Sequence, residues 1–199
     1  KSLQSGQLEP ALERFFKIPP DSVYRPEAAA MIVREVEQRI DAVLKRPDPQ
    51  AADFSEIVTL AEKLLQVDPQ SGSAMSYVCL ARLGENNLPE AIRSAEVLIA
   101  AYPQSAEGHY YRAFALYRSG RAAEALPSVE EALRLQPGQP DYLLLRAWLW
   151  IMNGRLDEAR SDLGQVLAAD PYNRTARVLY GRLTGSAAAP APVPATDTA

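Results

Sequence analysis

Two side chains that carry much of protein chemistry are nearly missing: 199 residues include one cysteine, Cys79, and one histidine, His109. A lone cysteine excludes an internal disulfide framework and leaves the redox compartment undecided. A lone histidine removes most metal sites and most histidine-based acid–base catalysis. Positive charge is not in excess, since 21 Lys and Arg face 25 Asp and Glu for a net −4, so nothing invites nucleic acid. The longest apolar run, 142–152, is interrupted by Arg146 and falls well short of the roughly 20 residues that span a bilayer. Phosphate-cradling Gly-x-x-x-x-Gly-Lys, dinucleotide-type Gly-x-Gly-x-x-Gly and Cys-x-x-Cys are all absent. No cofactor is expected, and a binding protein is favoured over an enzyme. The chain opens on Lys1 without a signal or lipidation motif, so we expect that a segment upstream was removed. Localisation stays open between the cytoplasm and, if a signal or anchor was lost, the periplasm or a membrane surface.

What is present is a period. Pro69, Pro103, Pro137 and Pro171 are each 34 residues apart, and so are Ala91, Ala125 and Ala159. Glu56, Glu90, Glu124 and Glu158 keep the same interval, and a turn recurs at 85–87, 119–121 and 153–155. Within each period the apolar spacing is helical: Tyr110, Ala113, Phe114 and Tyr117, then Leu144, Ala147, Trp148 and Ile151, stand at i, i+3, i+4, i+7. Ala125, Val129, Ala132 and Leu133 begin a second helix after the turn, as do Ala159, Leu163, Val166 and Leu167. A Gly or Asn ends the first helix and a proline stops the second.

These residues resemble the tetratricopeptide repeat, a pair of antiparallel helices with small residues at positions 8 and 20 and proline at 32. Position 8 here holds Cys79, Ala113, Ala147 and Gly181, and position 20 holds Ala91, Ala125 and Ala159. The resemblance implies an all-α, right-handed superhelical solenoid of antiparallel helix pairs. We expect an N-terminal extension with a short helix (1–26), a divergent first repeat (27–71) and full repeats at 72–105, 106–139 and 140–173. A closing helix (174–184) and a flexible Ala/Pro-rich tail (185–199) complete the division. In the divergent repeat, Pro26-Glu27 opens a helix with Met31, Val36, Ile40, Val43 and Leu44 on its apolar face. Asp53-Phe54-Ser55-Glu56 reads as a capping box opening the next.

Candidate chemistry is sparse. His109 and Cys79 fall in repeat positions suited to packing between helices, and the periodic glutamates complement helix dipoles. Arg112 and Arg146 share position 7, where the family usually places leucine. They form either a structural ion pair with a glutamate of a neighbouring helix, the preferred reading, or a pair of polar contacts for a carboxylate ligand. Family members that grip an acidic C-terminal peptide use lysine and asparagine at positions 5 and 9. This chain has Ser76 and Leu80, Tyr110 and Phe114, Leu144 and Trp148 there, which argues against that clamp. Two further departures are Arg82 at position 11 and Pro127 inside a helix.

The resemblance places positions 2, 5, 9, 12 and 13 of each first helix on the concave surface. The 5/9/12 ladder is Ser76-Leu80-Leu83, Tyr110-Phe114-Tyr117 and Leu144-Trp148-Ile151. The expected groove is Tyr77, Leu80, Leu83, Tyr110, Phe114, Tyr117, Leu144, Trp148 and Ile151. Six large apolar groups left in water would form a patch of several hundred Å², the size that marks interaction sites. The expected function is a non-enzymatic scaffold, adaptor or assembly factor that takes an apolar helix or extended peptide of a partner protein. A secretion-type chaperone for a client segment is one alternative. Another is an accessory subunit of a larger complex, its groove filled by the chain's own 15–19 or 191–194.

Overall fold

The computed structural model describes residues 8–185, and the tail expected beyond Gly185 lies outside them. Among the described residues there are ten α-helices and no strand. They are α1 (Leu8–Phe16), α2 (Arg25–Leu44), α3 (Ala51–Val67), α4 (Gly72–Gly84) and α5 (Leu88–Ala101) in one compact unit ending at Pro103. A second unit, from Gln104, holds α6 (Ala106–Arg118), α7 (Ala122–Leu135), α8 (Pro140–Met152), α9 (Leu156–Ala169) and α10 (Arg174–Thr184). Within each unit every helix packs on the next in sequence.

The 34-residue period is a backbone device. Asn86, Gly120 and Gly154 have φ of 59°, 75° and 73°, the left-handed conformation that turns one helix into its partner. The amides of Asn87, Arg121 and Arg155 then donate to the carbonyls of Arg82, Leu116 and Trp150, each at 2.9 Å. At the other end of each hairpin, Asp68, Tyr102, Gln136 and Asp170 are extended, with ψ of 94°, 79°, 85° and 92°. The proline that follows each of them forbids the helical conformation. Ser71, Ser105 and Asn173, spaced on the same period, cap the next helices by accepting from the amides of Ala74, Gly108 and Ala176.

In the first unit, Leu8, Leu12 and Phe15 of α1 pack with Ile32, Val36, Ile40 and Val43 of α2 and with Ile57, Ala61 and Leu64 of α3. Two local expectations need correction. Met31 is exposed and Ile32 takes the buried position, because the run Ala28-Ala29-Ala30 gives no polar boundary to fix the face. The cap of α3 is Gln50, three residues earlier than expected, with Asp53 accepting from the Gln50 amide at 2.7 Å. That bond, aided by Arg46, holds the Asp53 carboxyl below its usual range.

Arg82 leaves the apolar seam and reaches Glu85 at 3.0 Å and Glu62 of α3 at 3.7 Å. Next to it, a Cβ added at Gly84 would lie 2.3 Å from the Phe54 ring. Alanine is the better helix former by about 1 kcal/mol, yet overpacking of this kind costs about 1–3 kcal/mol. Gly84→Ala is therefore expected to lower stability, read as a fall in the urea midpoint at unchanged slope.

In the second unit the seams between helices are built from small residues. Ala113, Ala125, Ala132, Ala147 and Ala159 are fully buried, which lets the backbones approach closely. Leu116, Val129, Leu143, Leu149, Leu163 and Val166 fill the space between. Pro127 lies exposed within α7 without ending it, and Ala123, whose carbonyl loses its amide partner, is an exposed residue too.

Candidate functional site

Helices α6 and α8 each have two apolar faces, and burial separates them. Ala113 and Leu116 of α6, and Leu143, Ala147 and Trp150 of α8, are buried in the seams. Tyr110, Phe114 and Tyr117, with Leu144, Trp148 and Ile151, are half-buried and still reach solvent. Six of the nine expected groove residues thus share the second unit. The other three sit on α4 in the first unit, where Tyr77 and Leu80 are half-buried and Tyr77 packs against that unit's core. Leu83 is a correction: it is only 5% exposed and belongs to the packing, because position in a repeat does not fix depth.

The aromatic members on α6 form a continuous run. Tyr110 stacks on Phe114 with centroids 5.9 Å apart and planes at 25°, and Phe114 meets Tyr117 at 6.2 Å. Tyr110 also stacks on Tyr142 of α8, at 4.8 Å and 28°. Sequence reasoning missed Tyr142, a buried ring that supports the exposed run and contacts Gln136 at 3.4 Å through its hydroxyl. Offset stacks of this kind fix ring orientation before any ligand arrives.

Burial, reinforced by the Asp141 carboxylate and by Tyr142, pushes the Tyr110 phenol up to about 12. Burial, with Glu107 and Asp141, does the same for Tyr142, also to about 12. Both folded values exceed the unfolded value of about 10. The neutral phenols therefore stabilise the fold fully below pH 10, and that contribution disappears as pH rises through 12. Urea midpoints should therefore fall as pH rises from about 10 towards 12, and while the chain stays folded these two phenols should be the late ones to ionise at 295 nm.

The two arginines of position 7 bind inward. Arg146 donates from Nε and Nη2 to the Asp162 carboxylate at 2.8 and 2.7 Å. Asp162 is 2% exposed on α9, and its bond is the main cause that raises the Arg146 guanidinium above its usual value. Arg112 donates to Ser128 Oγ on α7 at 2.7 Å, and Ser128 is buried. For Arg146 the partner is an aspartate where a glutamate was expected; Asp162 and Ser128 each lie 16 residues after the arginine they accept from. Arg146 also borders a shallow pocket of about 310 Å³, whose lining includes Glu130, Leu133 and Leu143 but none of the six ladder residues.

The remaining candidates read as structural. Cys79 is fully buried in its small-residue slot. His109 is half-buried on α6 and lies near Glu131, whose carboxyl is held below its usual range chiefly by Arg134. Glu90, Glu124 and Glu158 each pair with an arginine three residues away in the first turn of a helix. Among the described residues no group of three or more His, Cys, Asp or Glu is placed to hold a metal ion. No helix there is long and apolar enough to cross a membrane.

Comparison with known proteins agrees with this geometry. The family model of the Tetratricopeptide repeat matches residues 80–140 and again 112–174. No curated protein matches the chain in sequence. Among solved structures the chain is similar to the first TPR of Spaghetti (RPAP3) bound to the HSP90 peptide SRMEEVD. Identity is 21%, over 59% of this chain and 94% of that one, with a TM-score of 0.56. A thermophilic TPR protein of Thermus thermophilus is 17% identical over 89% of this chain and 98% of that one, with a TM-score of 0.58. YrrB, described as a TPR protein with an unusual peptide-binding site, is 18% identical over 75% of this chain and 82% of that one, with a TM-score of 0.55. At such identities the likeness establishes the fold.

Proposed function

We propose that this chain, a tetratricopeptide-repeat protein, is a non-enzymatic interaction scaffold, an adaptor or assembly factor, that holds an apolar protein segment on the α6–α8 ladder. One observation carries the reading: Tyr110, Phe114, Tyr117, Leu144, Trp148 and Ile151 reach solvent on two helices whose other apolar face is already buried. Apolar area left in water costs about 25 cal/mol per Å², and covering it is the available gain. Aromatic groups held rigid by stacking lose little side-chain freedom when a partner docks, and such groups dominate interface energies. Peptide binding by Spaghetti and YrrB supports the reading by analogy of fold. Apolar and aromatic groups at positions 5 and 9 of α6 and α8 favour an apolar client segment over a carboxylate held at those positions.

Affinity isolation from the native source, with the full chain and its Trp148→Ala variant side by side, tests this. A protein recovered by the parent and lost from the variant is the expected result. Identical recovery by both, with equal helicity by circular dichroism, would defeat the assignment.

A further inference from the structure

In the second unit the arginines of α10 stand apart from those of the helices before it. From residue 121 to residue 160 every arginine has a carboxylate partner: Arg121 with Glu124, Arg134 with Glu131, Arg146 with Asp162, Arg155 with Glu158 and Arg160 with Asp157. On α10, Arg174, Arg177 and Arg182 are exposed, and their side chains make no hydrogen bond or ion pair among the described residues. The helix itself contains no acidic residue. The carboxylate preceding it, Asp170, accepts from the Tyr172 amide of its own turn at 3.0 Å.

Helical spacing puts these three arginines together. Arg174, Arg177, Val178 and Arg182 fall at i, i+3, i+4 and i+8, on the side opposite the buried Ala176 and Leu179. Val178 is 48% exposed at the centre of this face. Two features make the face electrostatically uncomfortable. Like charges share one side of a short helix. In addition, α6 and α8 place Glu107 and Asp141 in their first turns, whereas α10 begins with Arg174, where the helix dipole disfavours a cation.

The period then ties this face to the ladder. Residues 34 after Leu144 and Trp148 are Val178 and Arg182, so the register that exposes the first two on α8 exposes the second two on α10. In that register the apolar row of α8 is followed by Val178 and then by the Arg182 guanidinium. We propose that the cationic face of α10 receives the acidic flank of the client segment whose apolar part lies on the α6–α8 ladder. Arginine suits this role because its planar fork engages a carboxylate through two donors. The client is thus a protein segment with an apolar core flanked on one side by two or three Asp or Glu residues. This rests on the function proposed above and narrows it.

The test uses the full chain and two fluorescent peptides with one apolar core, flanked by three Glu in one and three Gln in the other. In fluorescence anisotropy at about 50 mM salt, where screening is weak, the Glu peptide should bind about tenfold more tightly. That advantage should shrink below twofold in R177Q/R182Q and in about 0.5 M salt. The Gln peptide reports on the ladder alone, so its loss in Trp148→Ala with binding to the parent intact upholds the ladder independently. Equal affinity of the parent for both peptides overturns the α10 assignment while leaving the ladder standing. Failure of both peptides to bind overturns both. Salt-sensitive self-association that disappears in R177Q/R182Q, with no preference for the Glu peptide, would overturn the proposal and give the face to a second copy of the chain.

Discussion

Asp162→Ala is expected to remove about 3 kcal/mol of stability, one of the two largest effects foreseen for this chain. Asp162 is 2% exposed and accepts two charge-assisted bonds from Arg146, whose side chain is 24% exposed. Removing one partner of a buried ion pair costs about 3–5 kcal/mol, because the other charge is left without compensation. Partial access of water to Arg146 puts this case at the lower end. The same link one repeat earlier offers a control. Ser128 is a neutral acceptor for Arg112, so Ser128→Ala should cost only about 1 kcal/mol. Urea unfolding of both variants, with unchanged slopes, checks the ordering. Replacing the pair together, as Arg146→Met with Asp162→Leu, should recover most of the loss, since apolar substitutes of similar volume often match a buried pair. Equal losses for Asp162→Ala and Ser128→Ala would show that the carboxylate does not hold the α8–α9 seam.

The second large effect is on binding. Trp148→Ala and Phe114→Ala should each weaken capture of an apolar segment by about 2–4 kcal/mol, roughly 30- to 700-fold in Kd. Both rings are only half-buried in the unit, so their removal opens no closed cavity and should leave stability much less affected than affinity. Phe114 touches Tyr110 and Tyr117, whereas Trp148 stands on the facing helix. The two losses should therefore combine less than additively where a ligand bridges the helices. Isothermal titration with the Gln-flanked peptide gives both numbers. Affinity within twofold of the parent for either variant would remove that side chain from the contact surface.

Much of this architecture is legible in the residues, and the reason is local. A proline after each second helix, and Asn86, Gly120 or Gly154 after each first, act through φ and ψ alone, so their 34-residue spacing reports the hairpins directly. The seam alanines announce close packing in the same way. Depth is less legible: Leu83 and Leu80 both read as groove residues, and only packing places Leu83 inside. The face of α2 was obscured by three consecutive alanines, which are equally at home on either side. The cap at Gln50 was hidden because Asp53 also satisfies the spacing rule for a cap. The arginine partners were findable. Ser128 and Asp162 are themselves 34 apart, and extending the period to buried polar positions would have singled them out in place of the exposed glutamates.

The chain has two tryptophans, and they lie two residues apart in opposite surroundings. Trp150 is 6% exposed with the Arg155 guanidinium 3.9 Å from its ring centre, while Trp148 faces the ladder and solvent. One indole is thus an optical reporter of occupancy and the other of integrity, so a single emission spectrum, read with a water-soluble quencher, separates a vacant protein from a damaged one.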